Sequence, residues 1–229
     1  VTCQLPVLMQ RMGYKTAILD ADITGPSIPK AFGVHKTPKA EGDFLYPDET
    51  ETGIKIMSVN LLLDDETTPV LWRGPIIAGT VKQFYSDIIW GDIDYMFIDC
   101  PPGTGDVPLT IFQSIPIDGV VVVTTPQDLV SVIVGKAVHM ADSMNIPVIG
   151  MIENMSYFIC PDCNNKHYIF GKSQLEQVIR DLYIGHAIRL PINPSLAGLM
   201  DRGEIEHMEA NADLQEFADL ISTFDPDKY

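Results

Sequence analysis

Short apolar runs alternate along the chain with longer stretches whose apolar residues recur at helical spacing. The short runs, at 16–19, 54–59, 95–98, 120–124, 148–152 and 187–190, are rich in Val, Ile and Met. They are apolar at successive positions, so both faces are covered, as in a parallel sheet between helical layers. The helical patterns fall between them, at 76–89, 129–144, 173–182 and 213–223. This alternation predicts an α/β fold with a doubly wound, mostly parallel sheet, a single domain over 1–229. The acidic stretch 41–52 reads as a solvated loop. Residues 1–13 read as a helix closed by Gly13, with Pro6 an awkward interior residue. A parallel sheet that opens on a helix lacks the strand that should feed it, so further chain is expected upstream of Val1.

Two of the predicted strands run straight into carboxylates. Tyr95-Met96-Phe97-Ile98 ends in Asp99, followed by Cys100-Pro101-Pro102-Gly103-Thr104-Gly105-Asp106. Ile18-Leu19 ends in Asp20-Ala21-Asp22, followed by Ile23-Thr24-Gly25-Pro26-Ser27. Gly and Pro stop both strands and force shaped loops. In open α/β sheets the carboxyl ends of the strands are where ligands bind. Three acids at one edge repel unless something neutralises them. A divalent cation does so, and Mg²⁺ takes one or two carboxylates together with phosphate oxygens. Helix capping by Asp and Ser is the plainer alternative for either segment.

The net charge of −16, from 31 acidic and 15 basic residues, argues against a nucleic-acid groove or an anionic membrane surface as partner. No apolar run approaches the roughly 20 residues of a membrane span. Four cysteines in 229 residues make no disulfide framework. One Cys-x-x-Cys among them suits a reducing, cytoplasmic setting and a metal or redox role.

Beyond these two strand ends, Trp72-Arg73-Gly74-Pro75, Glu153-Asn154-Met155-Ser156, Cys160-Pro161-Asp162-Cys163 and Phe170-Gly171 follow in order. As an ordered set, spanning essentially the whole chain, the motifs resemble the Mrp/ApbC family of iron–sulfur cluster carrier ATPases, P-loop NTPases related to MinD. The resemblance implies roles. Asp99 matches the Walker B acid acting on Mg²⁺ through water. Asp22 matches the acid that positions the attacking water, with Asp20 its neighbour at the metal. Gly103 and Thr104, within 103–106, match switch II. Asn154 matches the adenine-reading residue. Pro191 and Ile192 open the loop 191–194 that packs on the base.

That family also carries a Gly-Lys-Gly-Gly-Val-Gly-Lys-Ser/Thr type loop, whose amides and lysine cradle the phosphates. It would lie directly upstream of Val1. ATP hydrolysis is therefore expected of the full-length parent, and weak nucleotide binding of these 229 residues alone.

Cys160 and Cys163 lie between the strand-prone, aromatic segments 157–159 and 166–170. This reads as a metal-binding knuckle on a hairpin, 157–170. A redox Cys-x-x-Cys opens a helix, and that context is missing. Two thiolates are half of a Cys₄ site, and Cys3 and Cys100 belong to other elements. The economical arrangement is a two-fold homodimer sharing one cluster on its axis. The family uses the pair in this way, for a bridging 4Fe–4S cluster passed to apo iron–sulfur proteins. Zinc is the alternative, with His167 able to complete it, although a solvated or packed histidine is the plainer expectation for His167. The rival functions are a MinD- or ParA-like positioning ATPase without a cluster, and a zinc-stapled, non-enzymatic module.

Overall fold

A computed structural model describes residues 1–22, 27–35, 38–42, 44–62, 74–127 and 130–228. In chain order the elements are α1 (Gln4–Arg11), β1 (Thr16–Asp20), α2 (Ile28–Ala31), β2 (Ala40–Glu41), β3 (Phe44–Leu45), β4 (Asp48–Glu49), β5 (Lys55–Ser58), α3 (Gly74–Ser86), β6 (Tyr95–Asp99) and α4 (Asp106–Ser114). They continue with β7 (Val120–Thr124), α5 (Val130–Ser143), β8 (Val148–Ile159), β9 (Lys166–His167), α6 (Leu175–Asp181), β10 (Ala187–Pro191), α7 (Pro194–Arg202) and α8 (Ala212–Thr223). All six predicted strands are present.

The chain packs as two compact units. One comprises Thr2–Ile115 and Ser195–Glu209. Its sheet has the order β4-β5-β1-β6, with β5, β1 and β6 parallel and β4 antiparallel at the edge. Central strand β1 is buried at all five positions, which is why Thr16-Ala17-Ile18-Leu19 shows no alternation. Pro6 is no misfit: it is the third residue of α1, in the first turn, where a helix has no use for the missing N–H. The stretch 41–52 is more ordered than a loop. It contributes to a β2–β3 ribbon, and its β4 pairs with β5. Helix α4, unpredicted from the pattern, begins at Asp106 as soon as the Pro-Pro-Gly-Thr-Gly bend ends. Its acidic first residue suits the helix dipole.

The same unit contains a close backbone crossing. A Cβ on Gly203 (φ +73°) would lie 2.5 Å from the Gly33 Cα, and one on Gly33 (φ +65°) would lie 2.9 Å from the Gly203 carbonyl oxygen. Gly203→Ala is expected to cost about 2–4 kcal/mol, from left-handed strain plus a clash with main chain that cannot yield. A urea midpoint unchanged from the parent protein would contradict this.

The other unit comprises Pro116–Pro194 and Ala210–Tyr229 with Val1. Its sheet has the order β10-β8-β7, all parallel, and β9 pairs antiparallel to the far end of β8. Val122, Val134, Val138, Met151, Leu175 and Ile184 form a core between that sheet and α5 and α6. Strand β8 is the main departure from expectation, running twelve residues where the apolar run predicts five. Residues 153–159 continue it through polar positions because β10 and β9 supply the backbone pairing there. No described helix is long and apolar enough to cross a membrane.

Candidate functional site

In the first unit the ends of three parallel strands present a row of polar side chains. Asp20 on β1 is in register with Ser58 on β5 and with Asp99 on β6. The Ala21 amide donates to the Asp99 carbonyl (2.8 Å), which extends the β1–β6 pairing past Asp20. Ser58 Oγ donates to one Asp20 carboxylate oxygen (3.0 Å), and the Asp22 amide donates to the other (3.2 Å). Thr2 Oγ1 donates to Asp99 Oδ1. Nothing in the sequence pattern singles out Thr2 or Ser58. Ser58 is visible only once β5 is paired with β1. Thr2 becomes visible only once the start of α1 is placed beside β6.

Asp20 is 1% exposed. Burial, aided by the neighbouring Asp99 charge, pushes its carboxyl up to about 7, against the two hydrogen bonds that favour the anion. Burial raises the Asp99 carboxyl as well; the Thr2 bond opposes the rise and the Asp22 charge adds to it. The pair is thus under-neutralised by protein groups. A hard divalent cation beside it, with phosphate oxygens completing the shell, is the chemistry this donor set suits. Gly103 (φ +89°) and Thr104 lie in the bend after β6, Gly103 exposed and Thr104 half-buried. The loop Ile23-Thr24-Gly25-Pro26 and the Trp72-Arg73 motif lie outside the described residues.

The crowding of Asp20 has a measurable consequence. The folded protein holds its proton up to about pH 7, whereas the unfolded chain releases it near 3.8. Stability is therefore fully present below the unfolded value and falls as pH rises through this window, by roughly 4 kcal/mol for an uncompensated site. Without metal, urea midpoints are expected to drop between pH 5 and pH 8, and Asp20→Asn to flatten that part of the profile. Equal slopes in the two proteins would show that Asp20 is not the responsible group.

The second unit holds the other predicted residues. Strands β8 and β10 pair Arg189 with Glu153 and then Pro191 with Tyr157, so two extra residues of β8 bulge opposite Leu190. Met155, inside the bulge, takes φ +54°. Asn154 is half-buried there. The Ile192 amide donates to the Tyr157 carbonyl (2.7 Å). Asn154, Pro191 and Ile192 are thereby gathered at one irregularity. A polar cluster that runs from the buried Glu153 and Ser156 out to Arg189 and the exposed Glu176 pins it. The Glu153 carboxylate accepts from Ser156 Oγ (2.5 Å) and Ser173 Oγ (2.9 Å), and Arg189 bridges Ser173 (3.1 Å) and Glu176 (3.1 Å). Strained backbone persists only where the surroundings over-determine it, and this cluster does so.

Six residues beyond Asn154 the same strand delivers Cys160. The Cys160 amide donates to the Asn165 carbonyl (3.0 Å), and the Asn164 amide donates back to the Cys160 carbonyl (2.9 Å). Asn164 takes φ +57° at the tip. The expected knuckle on a hairpin is therefore formed. The backbone amides of Cys163 and Asp162 point at the Cys160 sulfur, which lowers its thiol pKa and favours the ligating thiolate. Lys166 Nζ lies 4.3 Å from the centre of the Tyr157 ring. The cysteines do not stand alone: Cys160, Cys163 and His167 have their ligand atoms within 4.8 Å of one another. Cys3 belongs to the other unit, where it is buried and its thiol is pushed up to about 12 by that burial.

A family model described as the NUBPL iron-transfer P-loop NTPase, of the ParA group, matches residues 1–224. The chain belongs to this family. As a NUBPL-type P-loop NTPase, it is 47% identical over 205 residues to a protein of Methanocaldococcus jannaschii named iron-sulfur cluster carrier protein. That alignment covers 89% of this chain and 71% of the relative. A protein of the same name from Clostridium perfringens is 42% identical over 218 residues, 92% of this chain and 76% of the relative. Among solved structures, a nucleotide-binding protein from Archaeoglobus fulgidus in complex with ADP superimposes with a TM-score of 0.82 at 40% identity, over 94% of this chain and 84% of that one. MinD in the MinC:MinD complex of Aquifex aeolicus gives 0.65 at 16% identity, over 98% of this chain and 90% of that one. This second likeness establishes the fold alone. The predicted α/β, MinD-like P-loop NTPase fold is the fold of this protein.

Proposed function

We propose that this protein, in its full-length form, is an ATP-dependent carrier of a 4Fe–4S cluster. Two copies share the cluster between the Cys160 and Cys163 thiolates of each, and pass it to apo iron–sulfur proteins in the cytoplasm. The observation that carries this reading is the setting of the cysteines. They sit on a preformed knuckle with Cys163 exposed, and Ile159, Tyr168, Ile169 and Phe170 on the same hairpin are each at least 39% exposed. Apolar side chains gathered around an open ligand pair are what a second copy would bury. The names of the relatives support the same cargo.

For the nucleotide, Asp99, with Asp20 as its neighbour, would hold Mg²⁺, and that ion would supply charge neutralisation at the phosphates. Asp22 orients the attacking water, and Gly103 and Thr104 follow the γ-phosphate. Asn154 has both a donor and an acceptor to offer an adenine edge, with Pro191 and Ile192 packed on the base. Asn154 lies in β8, which ends at Ile159, one residue before Cys160.

Anaerobic reconstitution of the full-length protein with iron and sulfide tests the proposal. It is expected to yield broad visible absorption, about four irons per dimer, and a shift from monomer to dimer by sedimentation. A protein that takes up no iron while hydrolysing ATP would be a MinD- or ParA-like positioning ATPase instead. One that does neither would be a non-enzymatic, zinc-stapled module.

A further inference from the structure

Beyond the shared cluster, we infer that a single chain binds one divalent transition-metal ion of the zinc class on Cys160, Cys163 and His167, leaving a fourth position open. The hairpin places the third ligand. His167 pairs directly with Phe158 across β8 and β9. Residues directly opposite on antiparallel strands share a face, and so do residues two apart on one strand. Phe158, Cys160 and His167 are therefore on one side of the hairpin. The Asn165 and Asn164 backbone bonds to Cys160 then turn Cys163 back toward the same point.

The ligand atoms of the three residues lie within 4.8 Å of one another. Zinc bonds of about 2.3 Å to sulfur and about 2.0 Å to nitrogen, set tetrahedrally, separate the ligands by roughly 3.6–3.8 Å. Cys163 and His167 are exposed and Cys160 is half-buried, so an ion enters from solvent and keeps an open position. Two thiolates and an imidazole are soft and borderline donors, which select zinc, cobalt or ferrous iron over magnesium or calcium.

Cobalt(II) titration of the reduced, metal-free full-length protein, without sulfide, tests the site. One ion per chain is expected, with tetrahedral d–d bands and charge transfer from two thiolates, and zinc should displace it. His167→Ala is expected to weaken cobalt binding at least about tenfold and shift the d–d bands. His167→Cys is expected to restore the affinity and add the charge transfer of a third thiolate. His167 is exposed, so neither change threatens the fold. Unaltered affinity and spectrum in His167→Ala would overturn the inference. So would half an ion per chain with four-thiolate intensity, which places the metal between two chains. The cluster proposal is read separately, from iron and sulfide uptake, so either result can fail while the other stands.

Discussion

Replacing Cys160 or Cys163 by Ala is expected to abolish cluster binding altogether, from about four irons per dimer to none. Each substitution removes two of four ligands at once, because a shared site on a two-fold axis repeats every loss. The backbone is expected to survive. The knuckle is closed by main-chain bonds between Cys160, Asn164 and Asn165, none of which needs a sulfur atom. Helix content and unfolding midpoint should therefore stay at the parent values while the visible absorption disappears. Dimer formation under reconstituting conditions should weaken with it, since only the apolar rim then remains to hold the copies together. Cys3→Ala is the internal comparison. Its thiol is buried at the start of α1 with its pKa pushed up to about 12, unsuited to a metal ligand, so iron uptake should be unchanged. Full iron binding in either knuckle variant, or its loss in Cys3→Ala, would move the cluster elsewhere.

Asp22→Asn is expected to leave MgATP binding near the parent value and to slow hydrolysis by about 100-fold or more in the full-length protein. Orienting and polarising the attacking water matters in the transition state more than in the ground state, and positioned acid–base groups contribute on that scale. The structure adds a second expected effect. The Asp22 charge presses on both Asp20 and Asp99, so removing it should ease their ionisation and slightly stabilise the metal-free protein at neutral pH. Asp99→Asn should behave differently. It removes a carboxylate from the metal site itself, so Mg²⁺-dependent binding should weaken as well as turnover. Single-turnover kinetics with separately measured ATP affinity distinguish the two. Near-parent turnover in both variants would remove the roles proposed for them.

Which features are legible in the sequence follows from what each one depends on. The six strands are legible because each is apolar at nearly every position; β1 is buried throughout, whereas β6 and β10 are mostly half-buried. Asp20 and Asp99 stand out because each carboxylate closes such a run and is followed by Gly and Pro, which end the strand at the sheet edge. The hairpin around Cys160 and Cys163 is legible from its aromatic flanks and Asn-Asn turn. All of these are local, set by neighbours in sequence. Features that depend on partners far along the chain are decided only by the tertiary structure. The extension of β8 past residue 152 exists because β10 and β9 supply its hydrogen bonds. The Glu153 cluster joins Ser156, Ser173 and, through Ser173, Arg189, and nothing in Glu-Asn-Met-Ser announces those bonds. The alignment of Ser58 with Asp20 is a matter of strand register. His167 shows the boundary most plainly. By sequence it is one histidine four residues past a cysteine, as well suited to solvent as to a metal. The pairing of β9 with β8 is what brings its ring within reach of both sulfur atoms, because cross-strand register, unlike composition, fixes which side chains share a face.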